Sequence, residues 1–137
     1  MKMKPPESSF RIKRRVLYAD TDRMGVVYHS AYLRYAEAGR AELMRAKGFS
    51  YREMEDSGLM LPIIETWMRH YAPARYDEEI DIITWIEDTG GAHVTFCYII
   101  EIDSKPLVEC YTKHTCINME NKVVRLPEKI ILMAPDA

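Results

Sequence analysis

The chain has 137 residues, 47% of them hydrophobic and 29% charged, with a formal net charge of -2. That is one domain's length with apolar residues enough for one core. A charge so near zero gives nucleic acid or anionic lipid no strong global attraction, so neither is expected as a partner.

No stretch approaches the roughly 20 apolar residues of a membrane span. The first ten residues, "MKMKPPESSF", are charged and then polar, without the apolar run of a signal peptide. A cytoplasmic location follows as the expectation. Cys97, Cys110 and Cys116 are odd in number and form no CxxC pair. That argues against a disulfide framework or a zinc site and for three buried small apolar residues.

Residues 1–137 read as a single domain, with 1–8 as a flexible tail. Lys2, Lys4, Arg11, Lys13, Arg14 and Arg15 make the start basic. They read as a tail and a solvated strand face rather than as a polyanion site. Residues 9–19 alternate Phe10, Ile12, Arg14, Val16 and Tyr18 against Arg11, Lys13 and Arg15, the period of a strand. Residues 20–29 are an irregular link. Ser30 is the expected N-cap of a helix running to about Lys47 and stopped by Gly48. Tyr32, Tyr35, Ala36, Gly39, Leu43 and Ala46 fall on one side of it. Gly39 lowers helix propensity by about 1 kcal/mol against alanine, which points to close packing on a sheet. A second helix is signalled by "SYREMEDSG", with Ser50 and Glu53 as a capping box and Gly58 at its end.

Strands are expected at 61–71, 79–88, 92–102, 107–118 and 123–126. Thr89-Gly90-Gly91 and "DSKP" mark hairpin turns. The fold class is α+β: an antiparallel sheet packed on one long helix. Ile83 and Trp85 alternate against Ile80, Ile82 and Ile86, so both faces of the sheet are apolar. Either another subunit or covering loops must bury the second face, and an oligomer is the favoured expectation.

The chemistry concentrates in "YADTDRMGVVYHSAY", Tyr18 to Tyr32. Asp20 and Asp22 lie too far upstream to cap a helix starting near Ser30. A carboxylate leading into the apolar run Gly25, Val26, Val27 and Tyr28 can act as a nucleophile or as a general base for water. The helix start beyond it offers backbone N–H groups without intrahelical partners. Such a donor suits a developing oxyanion and is worth on the order of 3 kcal/mol in a transition state. Carboxylate plus donor is the minimum equipment for cleaving an activated acyl group.

The pattern R-V-x-x-x-x-T-D-x-x-G-V-V-x-x-x-x-Y at Arg15 to Tyr32 resembles the signature of the 4-hydroxybenzoyl-CoA thioesterase family. The fuller "YADTDRMGVVYHSAYLRYAEAGR" is similar to its YbgC-like branch. "YAPARYDEEIDIITWI" resembles that branch's second block, in which a P-A-x-x-D turn feeds a long strand. The resemblance spans roughly residues 9–133. It implies the hot-dog fold, a sheet wrapped around one long helix, and a homodimer or homotetramer with active sites at the subunit interface. It implies hydrolysis of an acyl-CoA thioester, with no cofactor beyond the coenzyme A that enters with the substrate. It makes Asp22, rather than Asp20, the catalytic carboxylate, and the His29 backbone N–H the donor to the thioester carbonyl. Gly25, Val26, Val27 and Tyr28 are the expected substrate-binding residues. Ala31 stands where many relatives carry asparagine.

Glu37, on the same helix, is the alternative catalytic carboxylate, since another hot-dog clade uses a helix carboxylate. Its simpler role is an ion pair with Arg34 or Arg40. The side chain of His29 either orients water or serves a backbone carbonyl. Tyr18 and Tyr28 read as core or interface packing. His70, His93 and His114 lack metal-ligand spacing, so no metal is expected. The rival functions are a thioesterase acting on acyl carrier protein thioesters and a non-catalytic acyl-binding module.

Overall fold

A computed structural model describes residues 3–135. The first two residues of the expected tail lie outside the described residues.

Five strands form one antiparallel sheet: β1 (Phe10–Arg15), β2 (Ile63–His70), β3 (Glu79–Gly90), β4 (His93–Ile102) and β5 (Lys105–Thr115). Their order is β1-β3-β4-β5-β2. The helix α1 (Ala31–Ala46) lies on one face, with α2 (Tyr51–Asp56) after it and α3 (Glu128–Ile131) near the end. This is the hot-dog arrangement.

The sheet buries both faces. Ile80, Ile82 and Ile86 join Phe96, Tyr98 and Ile100 against α1 in the main core. Ile83, Trp85, Cys97 and Ile99 form a smaller cluster on the opposite face, with Met3 and Tyr111 packed on it. Each such side chain contributes about 1.5–3 kcal/mol by leaving water, so the period-two pattern dictates the β3–β4 register. The basic residues of β1 pair with β3 and β4. Lys13 Nζ lies 2.8 Å from Asp81, and Arg11 Nη1 lies 3.0 Å from Glu101. The basic start is thus a solvated strand face. All three cysteines are buried and free.

Gly39 packs as its sequence cost implied. A Cβ there would clash with Thr84 Oγ1 and approach Ile82 Cγ2 to 2.9 Å. Its hydrogen lets α1 settle onto β3. The capping box of α2 forms, with the Glu53 N–H on Ser50 Oγ at 3.1 Å and the Ser50 N–H on Glu53 Oε1 at 3.2 Å.

Several expectations need correction. The first strand ends at Arg15, and a single 3-10 turn, Tyr18–Asp20, follows. The Asp20 carboxylate accepts the Leu17 N–H at 3.0 Å and so competes with strand pairing. Ser30 precedes α1 but does not cap it: its backbone is already helical and its hydroxyl makes no cap bond. Met44, not Ala46, completes the buried face of α1. The strand at 123–126 shrinks to one bridge, Ile117 with Val123. There the Asn118 side chain accepts from the N–H groups of Glu120 and Lys122 and builds a turn. The short helix α3 was not foreseen. Among the described residues no helix is long and apolar enough to cross a membrane.

Candidate active site

Residues 20–28 form a small hairpin. Thr21 and Val27 make an antiparallel bridge. The Tyr28 N–H donates to the Asp20 carbonyl and the Asp22 N–H to the Val26 carbonyl, at 2.8 and 2.9 Å. The Gly25 N–H closes the turn on the Asp22 carbonyl at 3.1 Å. Gly25 has φ +77°, a left-handed backbone that other residues adopt only at a cost. The hairpin is pinned to the rest of the fold by the Val27 N–H on the Ala74 carbonyl at 2.8 Å. Asp77, at φ +68°, makes the turn of the second block and leads into β3.

The two aspartates have different surroundings. Asp20 is buried and holds three donors: Arg34 Nη2 at 2.8 Å, the Tyr35 hydroxyl at 2.8 Å and the Leu17 N–H. It is a structural anchor tying the hairpin to α1. Burial first, and then the bond to Asp20, push the Tyr35 phenol well above its usual range. Asp22 is half-buried at the turn end of the hairpin. Its Oδ1 accepts the Met24 N–H at 2.8 Å, which orients the carboxylate. Among the described residues its Oδ2 accepts nothing.

His29 lies beyond the other end of the hairpin, two residues before α1. Among the described residues no acceptor takes the His29 N–H or the Ser30 N–H. Its ring packs 4.2 Å from that of Tyr28, and among the described residues it bonds no backbone carbonyl. His29 lines a cleft of about 340 Å³ with Val27, Tyr32, His70, Tyr71 and Pro73. Asp22 and His29 do not bond each other within one chain.

The apolar run is less buried than its composition suggests. Val27 is buried and Val26 half-buried, but Gly25 and Tyr28 are exposed. The hairpin turns the run edge-on, so only Val27 faces the core. Tyr18 is also exposed and stacks edge-on with Tyr76, so neither tyrosine is core.

Glu37 is not in the expected ion pair. Arg34 is taken by Asp20, and Arg40 reaches inward to the Tyr98 hydroxyl at 3.4 Å. Glu37 stays exposed on a groove of about 320 Å³ beside α1. A larger groove, about 600 Å³, lies on the opposite face of the sheet and contains none of the expected site residues. Among the described residues no cluster of histidine, cysteine and acid side chains suits a metal.

Two relationships were not foreseen. His70 shares the cleft with His29, with its ring 5.3 Å from that of Tyr32. Arg34 and Tyr35 both grip Asp20. The sequence carries no signal for the second, since Arg34 is spaced equally well to meet Glu37.

The comparisons with known proteins agree on one family. Residues 16–132 match the family model described as the thioesterase-like superfamily. Acyl-CoA thioester hydrolase YbgC of Escherichia coli O6:H1 is 32% identical over 124 residues, covering 89% of this chain and 92% of that protein. The crystal structure of a hypothetical protein from Aquifex aeolicus superposes with a TM-score of 0.87 at 31% identity, covering 90% of this chain and 98% of that one. DHNA-CoA thioesterase from Staphylococcus aureus superposes with a TM-score of 0.83 at 28% identity, covering 86% and 80%.

Proposed function

Because the chain belongs to the thioesterase-like superfamily, we propose that it is an acyl-CoA thioester hydrolase in which Asp22 and the His29 backbone N–H do the chemistry. The observation that carries this reading is the pair of ends of the hairpin. One end holds a carboxylate with one oxygen oriented and the other open. The other end holds a backbone N–H with no acceptor among the described residues.

The thioester carbonyl oxygen sits on the His29 N–H, where the positive end of α1 adds to the field. Asp22 then attacks the carbonyl carbon or takes a proton from the attacking water. The tetrahedral oxyanion is held by the same N–H. Collapse expels the coenzyme A thiolate, which leaves without a strong acid. As nucleophile, Asp22 would form an anhydride that water opens; as base, it would hand its proton on to the thiolate. Gly25, Val26, Val27 and Tyr28 form the wall along which the substrate lies. The reaction uses no cofactor, since coenzyme A arrives with the substrate. The setting is the cytoplasm.

Exposed apolar side chains surround the hairpin: Leu17, Tyr18, Met24 and Tyr28. They suit an interface, so the working unit is a homodimer or homotetramer whose second copy closes the site. One observation favours a second assignment. Among the described residues Glu37 has no ion pair, and it fronts the groove beside α1, so it is the rival carboxylate.

The test is release of free thiol from acyl-CoA by purified protein. Asp22→Asn should keep the fold and lose at least about a hundredfold in kcat, whereas Glu37→Gln should stay near wild type. Near-wild-type turnover by Asp22→Asn would overturn the assignment. Running one acyl chain on coenzyme A and on carrier protein separates the two carriers. Failure to hydrolyse either, across short, long and aromatic acyl groups, would favour the binding-module reading.

A further inference from the structure

A buried polar chain crosses the inner face of the sheet. Arg40 Nη1 lies 3.4 Å from the Tyr98 hydroxyl, Tyr98 Oη 2.7 Å from Thr112 Oγ1, Thr112 Oγ1 2.8 Å from His114 Nε2, and His114 Nδ1 2.8 Å from the Leu61 carbonyl oxygen. Tyr98, Thr112 and His114 are fully buried.

The last member decides the direction of every bond. A carbonyl oxygen only accepts, so Nδ1 of His114 carries the proton. Burial pushes the imidazole down to about 4, so it is neutral and Nε2 is a bare acceptor. Thr112 therefore donates to Nε2 and accepts from Tyr98. The Tyr98 hydroxyl spends its proton on Thr112 and can offer Arg40 only a lone pair. The chain runs one way, and its open end is a guanidinium.

That open end is unusual. Arg40 is half-buried, yet among the described residues no carboxylate pairs with it. Glu37, one helical turn earlier, is also unpaired, although the spacing would allow a bond. Arg40 is turned inward to the sheet instead. It lines the groove beside α1 with Arg34, Glu37, Ala41, Met44 and Leu61. The groove begins at Arg34, whose guanidinium holds Asp20 in the hairpin. From Arg34 to Met44 it follows about 15 Å of helix. The groove thus starts beside the hairpin, and its lining sets Ala41, Met44 and Leu61 around the Arg40 guanidinium.

We propose that Arg40 determines acyl specificity by donating hydrogen bonds to an uncharged oxygen on an acyl chain lying in this groove. The inference rests on the acyl-CoA reading above. The Arg40 guanidinium offers donors only, so the group that matches it is an acceptor, such as an ether, oxo or hydroxyl oxygen. A carboxylate is disfavoured by Glu37 at the same groove.

The experiment uses the full chain and coenzyme A thioesters of one length, with single methylenes replaced in turn by an ether oxygen. A purely apolar groove penalises the ether at every position, since the oxygen sheds water for nothing. With Arg40 as donor, one position should exceed the plain chain in kcat/KM by at least about tenfold. Arg40→Leu should abolish that preference while still hydrolysing the plain chain. If the wild type favours the plain chain at every position, the inference fails and the hydrolase reading stands. A preference that survives in Arg40→Leu overturns the role of Arg40. If the wild type hydrolyses no member of the series, the hydrolase reading fails and takes this one with it.

Discussion

Asp20 Oδ1 and Arg34 Nη2 meet at 2.8 Å, and that one bond separates the roles of the two aspartates. It commits Asp20 to holding the hairpin on α1 and removes a cation from the reach of Glu37. Asp22 is left with an open oxygen.

Asp20→Asn should therefore act on stability, not on chemistry. The amide cannot satisfy Arg34, Tyr35 and the Leu17 N–H together. A loss of about 2 kcal/mol in urea unfolding is expected, with kcat of the folded protein kept within about fivefold. Equal kcat losses from Asp20→Asn and Asp22→Asn would instead mean that the two carboxylates act as a unit.

Gly39→Ala should destabilise despite the better helix residue. Its Cβ would press on Thr84 Oγ1 and Ile82 Cγ2. Overpacking of about 1–3 kcal/mol outweighs the propensity gain of about 1 kcal/mol. Adding Thr84→Ala should recover part of the loss, read as a coupling energy in a double-mutant cycle. Additive effects would show that the helix sits elsewhere.

His114 predicts a pH dependence of stability. Its folded value, about 4, lies below the ordinary 6.5. The unfolded chain thus binds a proton between those values that the folded chain refuses. Stability from this group is complete above pH 6.5 and lost as pH falls toward 4, a swing of roughly 3 kcal/mol. Urea midpoints at pH 7 and 4.5 should differ less in His114→Gln than in the wild type. An equal shift in both would clear His114 of the effect.

Cys97 and Cys110 are pushed up to about 12, mainly by burial, and Cys116 is raised for the same reason. A thiol reagent at pH 8 should leave all three unlabelled in the folded protein and label all three in urea. Rapid labelling of any cysteine in the folded protein would contradict its burial.

The fold was legible because its strands alternate cleanly. Ile80, Ile82 and Ile86 against Ile83 and Trp85 define two buried faces, and Gly39 marked the helix-sheet contact in advance. The hairpin was harder. "GVVYH" reads as a buried run, yet backbone pairing of Thr21 with Val27 exposes Gly25 and Tyr28. Side-chain choices at distance were not legible at all. Arg34 could have met Glu37 as easily as Asp20, and only the packing of α1 decides between them. Periodicity also had no means of bringing His70 beside His29, because the loop before β3 does that.

The strand order also shapes how this chain is made. β2 is synthesised before β3 and β4, yet it pairs only with β5, from Ile63 against His114 to His70 against Val108. During translation its edge waits while the β3–β4 meander, with its two-residue turn, closes from neighbouring residues. β1 reaches further still, from Phe10 to Thr84, so these two returns are the long backbone searches of this protein, and a ribosome paused within β5 would hold out β2, with Ile63, Ile64, Trp67 and Met68 on an unpaired edge, to any chaperone nearby.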